Sequence, residues 1–175
     1  MYEIQEMITK EKIKERIDEL ARKLNEDFDG KELYVICILK GSVIFTCDLI
    51  RKLDIPIVLD FLIASSYGKK LISSGIVHIK HKPEVDLKDK EVLIIDDIID
   101  TGYTLKKVVR KTLKQKPKAI YTCTLFDKRE RRKVDFDVDY AGFLIPDEFI
   151  VGYGLDYDEK YRNLPYVGKM KTLKK

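Results

Sequence analysis

Three carboxylates lie close together in residues 96–104 of this chain. Asp96 and Asp97 directly follow four apolar residues, which predicts that these two acids lie where a buried strand ends. Asp100 follows three residues after Asp97. Grouped carboxylates can bind sugar hydroxyls or a divalent metal ion, and a single carboxylate can accept a proton from a substrate. The segment is therefore the first candidate for chemistry in the sequence.

The second half of the same segment has the residue types of a phosphate-binding loop. Thr101, Gly102 and Thr104 are small and open a predicted helix, whose free N–H groups and positive dipole end attract an anion. Three carboxylates beside that cradle would repel the anion unless they faced hydroxyl groups or a metal ion. The combination indicates a site for a phosphorylated sugar. The alternative is that Asp100 or Thr101 only caps the helix, while the other acids are solvated.

The elements around this segment follow the order expected of an α/β protein. Apolar residues three and four apart predict a helix over residues 13–28, which Gly30 ends. Continuous apolar runs predict buried strands over residues 33–39, 57–64, 92–95 and 119–126. Between them, apolar residues three and four apart predict two further helices, 43–53, which Ser42 caps, and 105–113. This alternation predicts an open, mostly parallel twisted sheet flanked by helices, in a single domain of residues 1–175.

Two segments differ from this pattern. Residues 65–90 place Gly, Lys, Ser and Pro around one short alternating run, 76–79, which predicts a mobile excursion with a β-ribbon. Residues 145–175 contain shorter strand-like pieces with Pro146 and Pro165, which predict a small cap, or hood, on the main sheet. Ligands of open α/β sheets bind beyond the carboxyl ends of the strands, so residues 40–42, 65–67 and 127–128 are further candidates.

Composition excludes several classes of protein. Of the 175 residues, 45% are hydrophobic and 37% are charged, proportions that exclude disorder as the overall state. No apolar stretch approaches the ~20 residues of a membrane-spanning helix, and we expect a cytoplasmic protein. The net charge of +4 gives no reason to expect nucleic acid or a membrane as partner. Cys37, Cys47 and Cys123 have largely apolar neighbours, which predicts reduced, buried thiols.

Residues 96–105 resemble the signature of type I phosphoribosyltransferases, which bind phosphoribosyl pyrophosphate (PRPP). Further motifs of that family occur in the same order along the chain, at residues 39–41, 65–68, 126–128 and 146–157. The family usually begins its signature with Glu-Asp, whereas here Asp96 keeps the charge and shortens the side chain by a methylene. The resemblance implies an Mg²⁺-dependent purine salvage transferase that joins hypoxanthine or guanine to PRPP and releases pyrophosphate.

The resemblance also implies which residues bind PRPP. Asp96 and Asp97 would hold the ribose hydroxyls and Mg²⁺, and Asp156 would be a further metal-linked carboxylate. Lys40 and Gly41, after a cis peptide bond between Leu39 and Lys40, would bind the pyrophosphate together with Arg162. A lid around residues 66–83, which begins at Ser66 and Tyr67, would close over PRPP. Thr101, Gly102 and Thr104 would form the cradle of the 5′-phosphate. Taken alone, Lys40 would be an exposed turn residue and the lid a plain surface loop.

The purine side is implied in the same way. Asp100 would be the catalytic base that takes the proton from purine N7. Lys128 would donate to the exocyclic O6, which rewards a 6-oxo group and disfavours a 6-amino group. Phe149 would stack on the purine, Ile150 would offer backbone groups to its edge, and Asp156 would lie near its 2-position. Without the signature, Phe149 would be read as core and Arg162 as surface.

Other interpretations remain. The basic run of residues 128–133 has no interleaved aromatic residues, so we expect a solvated loop rather than a nucleic-acid patch. His78 and His81 lack the further ligands of a zinc site. A PRPP-sensing regulator that binds RNA or DNA is the alternative from another class of function, and a transferase for adenine or xanthine is a nearer one. The family forms dimers and tetramers, so we expect a homodimer or homotetramer.

Overall fold

A computed structural model describes residues 2–66, 77–81 and 83–172 of the chain. In chain order the strands and α-helices are β1 (Tyr2–Ile8), α1 (Lys10–Asp27), β2 (Leu33–Leu39), α2 (Val43–Ile50), β3 (Ile57–Ser66), β4 (Val77–His81), β5 (Glu91–Ile99), α3 (Tyr103–Thr112), β6 (Ala119–Asp127), β7 (Tyr140–Leu144), β8 (Ile150–Val151) and β9 (Val167–Thr172). Short 3₁₀ turns follow α3 and β6.

The main sheet has six strands in the order β4-β3-β2-β5-β6-β7. All of its neighbouring pairs are parallel except β3 and β4, which are antiparallel. Helix α1 buries Ile13, Ile17 and Leu24 in the core formed with this sheet, and Thr9 caps it by accepting from the Lys12 N–H at 3.3 Å. The fold class predicted from the sequence, an open and mostly parallel α/β sheet, is confirmed.

The parallel register brings the carboxyl ends of the central strands to one edge of the sheet. Cys37 of β2 is level with Ile95 of β5, which in turn is level with Cys123 of β6. Strand β5 is longer than predicted, because its pairing with β6 continues to Ile99 opposite Asp127. Its two acids therefore lie within the strand rather than after it. The loops that follow β2, β5 and β6 share this edge.

A second, three-stranded antiparallel sheet has the order β1-β9-β8. The sequence analysis assigned no element to β1, although Tyr2 pairs with Thr172 and Gln5 with Lys169. The strand was missed because it has its partner at the far end of the chain, where local patterning gives no signal. Lys169 also pairs with Ile150 of β8, so the N-terminal strand supports the segment that contains the predicted purine contacts.

Three local predictions were wrong. Ser42 is at the N-cap of α2 but makes no capping bond, because its buried hydroxyl donates to the Ile38 carbonyl at 2.6 Å. Helix α2 ends at Ile50, three residues earlier than predicted. Cys37 and Cys123 are free and buried as expected, whereas Cys47 is exposed because it lies on the outer side of α2. No helix in the described ranges is long and apolar enough to cross a membrane.

Candidate active site

The predicted site residues meet at the carboxyl edge of the main sheet. Lys40 and Gly41 directly follow β2, Asp96 and Asp97 lie near the end of β5, and Lys128 directly follows β6. Because these strands are parallel neighbours, their loops lie side by side. The peptide bond between Leu39 and Lys40 is cis, as predicted.

Asp96 and Asp97 form a pair of adjacent acids, of which Asp96 is buried and Asp97 is half-buried. Asp96 is 8% exposed, and one of its oxygens accepts the Asp97 N–H at 3.1 Å. Asp97 likewise accepts the Ile98 N–H at 2.7 Å. Burial raises the pKa of both carboxyls, and the neighbouring charge of Asp97 raises that of Asp96 further. Two adjacent, desolvated carboxylates are the setting in which a cation is most favourable.

These two acids fit the requirements of Mg²⁺. The ion takes oxygen ligands and is usually held by one or two carboxylates together with waters and substrate phosphates. Within the described part of the chain, no three His, Cys, Asp or Glu side chains form a cluster that could hold a metal ion. Asp156 is thus not grouped with Asp96 and Asp97. A site completed by the substrate itself is the arrangement that this donor set supports.

Two glycines allow the site to close tightly around Asp97. A Cβ added at Gly41 would lie 1.6 Å from Asp97 Oδ2, and one added at Gly154 would lie 2.0 Å from the Gly41 carbonyl oxygen. Gly154 also has a φ of +96°, a conformation that L-residues rarely adopt. Gly41 therefore brings the loop after β2 into contact with β5, and Gly154 brings the C-terminal segment into contact with the same loop.

Arg162 joins the C-terminal segment to this contact. Its guanidinium donates to the Gly154 carbonyl at 2.8 Å and lies 2.8 Å from Asp156 Oδ1. It also lies 3.1 Å from Glu159, whose carboxylate accepts two bonds of 3.1 Å from Lys40 Nζ. The pKa of Glu159 is lowered mainly by the hydrogen bond from Lys40 and, to a smaller extent, by that from Arg162. Glu159 was missed by the sequence analysis, because nothing in its local pattern links it to a lysine so distant in the chain.

The start of α3 is open for an anion. Gly102 is at the N-cap with a φ of +84°, and no side-chain bond caps the helix. The prediction that Asp100 or Thr101 could be the cap is therefore not needed to explain the segment. Thr101 is buried, and Thr104 lies in the first turn. A Cβ at Gly102 would lie 2.7 Å from a methyl of Val134, so the turn is packed against the chain that follows β6.

The basic run after β6 is solvated only in part: Arg129, Glu130 and Lys133 are exposed as predicted, whereas Arg131 and Arg132 are half-buried. Arg131 Nε lies 2.8 Å from Asp100 Oδ1, and Arg131 Nη1 lies 3.2 Å from Asp147 Oδ1. Arg132 donates to the Asp100 carbonyl at 3.1 Å and forms an ion pair with buried Asp127. Both guanidiniums therefore point toward carboxylates instead of solvent. In the sequence, the only signal of these ion pairs was the high arginine content of the run.

Lys128 connects the main sheet to the small sheet. Its side chain is buried, and its amine donates to the Glu148 carbonyl at 2.6 Å. Burial lowers the pKa of Lys128. Phe149, which follows Glu148 in the chain, is 40% exposed. Its ring packs edge to face against that of Tyr157, with 5.7 Å between the ring centroids. Ile150 follows in β8. An ammonium group and an accessible aromatic ring thus lie at the same end of the site.

Two predicted contacts lie at or beyond the described ranges. Ser66 is the last residue of β3, where its backbone pairs with Val77 of β4. Tyr67, with most of the predicted lid, lies outside the described residues.

Comparison with known proteins shows the family of the chain. The model of the phosphoribosyl transferase domain matches residues 5–158 of the chain. The chain belongs to the phosphoribosyltransferase family. This phosphoribosyltransferase is 46% identical to the hypoxanthine-guanine phosphoribosyltransferase of Aquifex aeolicus over 92% of the chain and 91% of the relative. It is 45% identical to the hypoxanthine phosphoribosyltransferase of Salmonella typhimurium over 97% of each.

Solved structures give the same result. A hypoxanthine-guanine phosphoribosyltransferase from Bacillus anthracis, crystallised with a HEPES molecule in its active site, superimposes with a TM-score of 0.91 at 44% identity. That match covers 98% of this chain and 100% of the other. A hypoxanthine phosphoribosyltransferase from Staphylococcus aureus gives a TM-score of 0.90 at 44% identity, covering 95% of this chain and 91% of that one.

Proposed function

We propose that this protein transfers the 5-phosphoribosyl group of PRPP to N9 of hypoxanthine or guanine, forming the purine nucleotide and pyrophosphate. The observation that carries the proposal is that Asp100 lies two residues before the uncapped N-terminus of α3, and its charge also acts on buried Lys128. The phosphate end of the donor and the 6-oxo group of the acceptor then lie on opposite sides of one carboxylate. The names of the relatives support the same activity.

The donor is held along the carboxyl edge of the sheet. Thr101, Gly102 and Thr104 bind the 5′-phosphate at the start of α3, where unpaired N–H groups and the helix dipole favour an anion. The acids of β5 accept the ribose hydroxyls. The pyrophosphate is bound by Lys40, the backbone of Gly41 and Arg162, and the lid that begins at Ser66 and Tyr67 excludes water from the reaction.

The reaction breaks the bond between C1′ and the pyrophosphate oxygen, which leaves with the electron pair. The new bond joins purine N9 to C1′ through an oxocarbenium-like state, and the proton on N7 passes to the Asp100 carboxylate. Asp96 and Asp97 place negative charge close to the developing cation, which stabilises it. Asp96 and Asp97 would hold Mg²⁺ together with PRPP, and Asp156 would be a further metal-linked carboxylate apart from this pair. The bound ion would supply neutralisation of charge on the leaving pyrophosphate.

The purine is selected at the other end of the site. The Lys128 ammonium has only donors, so it favours the O6 acceptor of hypoxanthine or guanine over the 6-amino group of adenine. Phe149 stacks on the purine ring with its exposed face, and the backbone of Ile150 binds the ring edge. We also propose that the protein acts in the cytoplasm as a homodimer or homotetramer.

The test is a direct assay of nucleotide formation. The protein is incubated with PRPP and Mg²⁺ and, in separate reactions, with hypoxanthine, guanine, xanthine or adenine. We expect nucleotide from hypoxanthine and guanine, little from adenine, and none when a chelator removes Mg²⁺. Nucleotide from adenine alone would contradict the role of Lys128, and no nucleotide from any purine would contradict the proposed function.

A further inference from the structure

Arg131 contacts Asp100, the carboxylate to which the proposed function assigns proton transfer. The guanidinium Nε lies 2.8 Å from Asp100 Oδ1 as an ion pair, and that oxygen is buried from solvent with no hydrogen-bond donor directed at it in the described residues. The Asp100 side chain as a whole is still 38% exposed. Because Oδ1 is covered, the oxygen left to accept a proton from a substrate is Oδ2.

The arginine is itself held in place from two directions. Asp147 lies 3.2 Å from Nη1 on the side away from Asp100, and the Arg131 N–H donates to the Lys128 carbonyl at 3.2 Å. The segment that contains Arg131 is also joined to the Asp100 loop by backbone bonds from Lys128 to Ile99 at 3.0 Å and from Lys133 to Thr101 at 3.1 Å. The guanidinium therefore has a fixed position relative to Asp100.

Fixed geometry matters for a proton acceptor. A carboxylate that rotates freely presents its oxygens to the purine only part of the time, and small displacements of a reacting group cost large factors in rate. An arginine is suited to the task, because it stays charged and its planar guanidinium spans two carboxylates, with Nε beside Asp100 and Nη1 bonded to Asp147. Two other charged groups face Asp100. Lys128 acts on the purine, and Arg132 contacts Asp100 through its backbone carbonyl rather than through its carboxylate.

We propose that Arg131 is a positioning residue, which binds Asp100 Oδ1 and thereby aims Oδ2 at the purine, with Asp147 holding the guanidinium from behind. The inference rests on the proposed function, since it assumes that Asp100 accepts the N7 proton. Arg131 contributes to turnover through Asp100 rather than through contact with PRPP. Its removal therefore lowers kcat and leaves the KM for PRPP unchanged.

The test compares kcat and KM of the full-length enzyme with those of R131M, R131K and D147N. R129M is the matched control, because Arg129 lies in the same 3₁₀ turn, is exposed and contacts Asp127 rather than Asp100. We expect R131M to lower kcat about tenfold with little change in the KM for PRPP. R131K should recover part of the loss, since an ammonium pairs with Oδ1 without spanning both carboxylates. D147N should give a smaller loss, and R129M none.

A double variant separates this inference from the proposed function. In single-turnover assays, R131M should add no loss to D100N, because the arginine then has no proton acceptor to position. An equal loss in both backgrounds, a wild-type kcat for R131M, or a raised kcat would each overturn the role of Arg131 while D100N remains impaired. A D100N variant with wild-type turnover would instead contradict the assignment of Asp100 itself. Thermal unfolding of each variant shows whether it is folded.

Discussion

The amine of Lys40 lies 3.1 Å from each carboxylate oxygen of Glu159, and Arg162 binds the same carboxylate at 3.1 Å. These are the two cations that the proposed function assigns to pyrophosphate. Glu159 thus satisfies them with a negative charge from the protein itself. Under the proposed function, the pyrophosphate of PRPP therefore competes with this carboxylate for both cations.

Replacing Glu159 should therefore strengthen donor binding. The pairs are solvent-exposed and individually weak, so we expect E159Q to lower the KM for PRPP by about two- to fivefold. Inhibition by pyrophosphate should strengthen in parallel. Steady-state kinetics with varied PRPP measures both. E15Q, an exposed change of equal charge on α1, is the control, and an equal effect of E15Q would show that net charge alone is responsible.

Removing the charge of Asp100 should separate binding from turnover. D100N keeps the size of the side chain but cannot accept the N7 proton, so we expect nucleotide formation to fall by orders of magnitude, at least ~100-fold. PRPP binding, measured by calorimetry in the presence of Mg²⁺, should be retained because its contacts lie elsewhere. Loss of PRPP binding together with turnover would place Asp100 on the donor side instead.

A methyl group at Gly41 should disrupt the site. A Cβ there would lie 1.6 Å from Asp97 Oδ2, so in G41A either the loop after β2 or the half-buried carboxylate must move. We expect loss of PRPP binding and a lower midpoint of thermal unfolding. At Gly30 a Cβ would meet nothing within 4 Å, although φ is +68°. G30A should therefore cost only the left-handed strain of about 1–2 kcal/mol and keep full activity. Similar activities for the two variants would contradict the close packing at Gly41.

Lys128 should give a pH-dependent signature. Burial lowers its pKa from the ordinary value of 10.5, so the native protein loses this proton at a pH where the unfolded chain still holds it. Below the native pKa the cost of burying the charge is fully present, and it is removed as the pH rises toward 10.5. The unfolding midpoint of the wild type relative to K128M should therefore increase between neutral and alkaline pH. K114M, a change at an exposed lysine, should show no such trend.

The same residue should affect catalysis. Without the ammonium, the O6 group of hypoxanthine loses a charged donor, and we expect K128M to reduce kcat/KM for hypoxanthine by about 10–100-fold. In the wild type, the alkaline limb of kcat/KM should begin below pH 10.5. Rate profiles from pH 6 to 10 measure the limb. An unchanged preference for hypoxanthine over adenine in K128M would assign the selection of the 6-oxo group to another residue.

The sequence predicted what depends on local pattern. The buried strands were evident because parallel strands covered on both faces give uninterrupted apolar runs, and the acids of β5 stood out against that run. The limit of β5 was not evident, because the pairing with β6 includes Asp96 and resumes at Ile98 and Ile99 beyond the two acids. A polar residue at a strand end does not by itself reveal whether backbone pairing stops there.

Long-range contacts explain the remaining differences. Glu159 and Arg131 gained their importance from Lys40 and Asp100, residues that lie on other elements. Ser42 looked like a helix cap from its neighbours, yet its hydroxyl bonds to the strand before it. In each case the side chain has a local use and a tertiary one. A partner on another element decided between them: an opposite charge for Glu159 and Arg131, and a carbonyl for Ser42.

The pairing of β1 with β9 also affects the order in which the molecule is made. On the ribosome, the first strand emerges long before residues 167–172, so it stays unpaired until those residues have also emerged. The small sheet that carries Ile150 is therefore completed only after all the parallel strands of the main sheet have emerged. In a nascent chain, the start of α3 can form before Ile150 has its partner in β9.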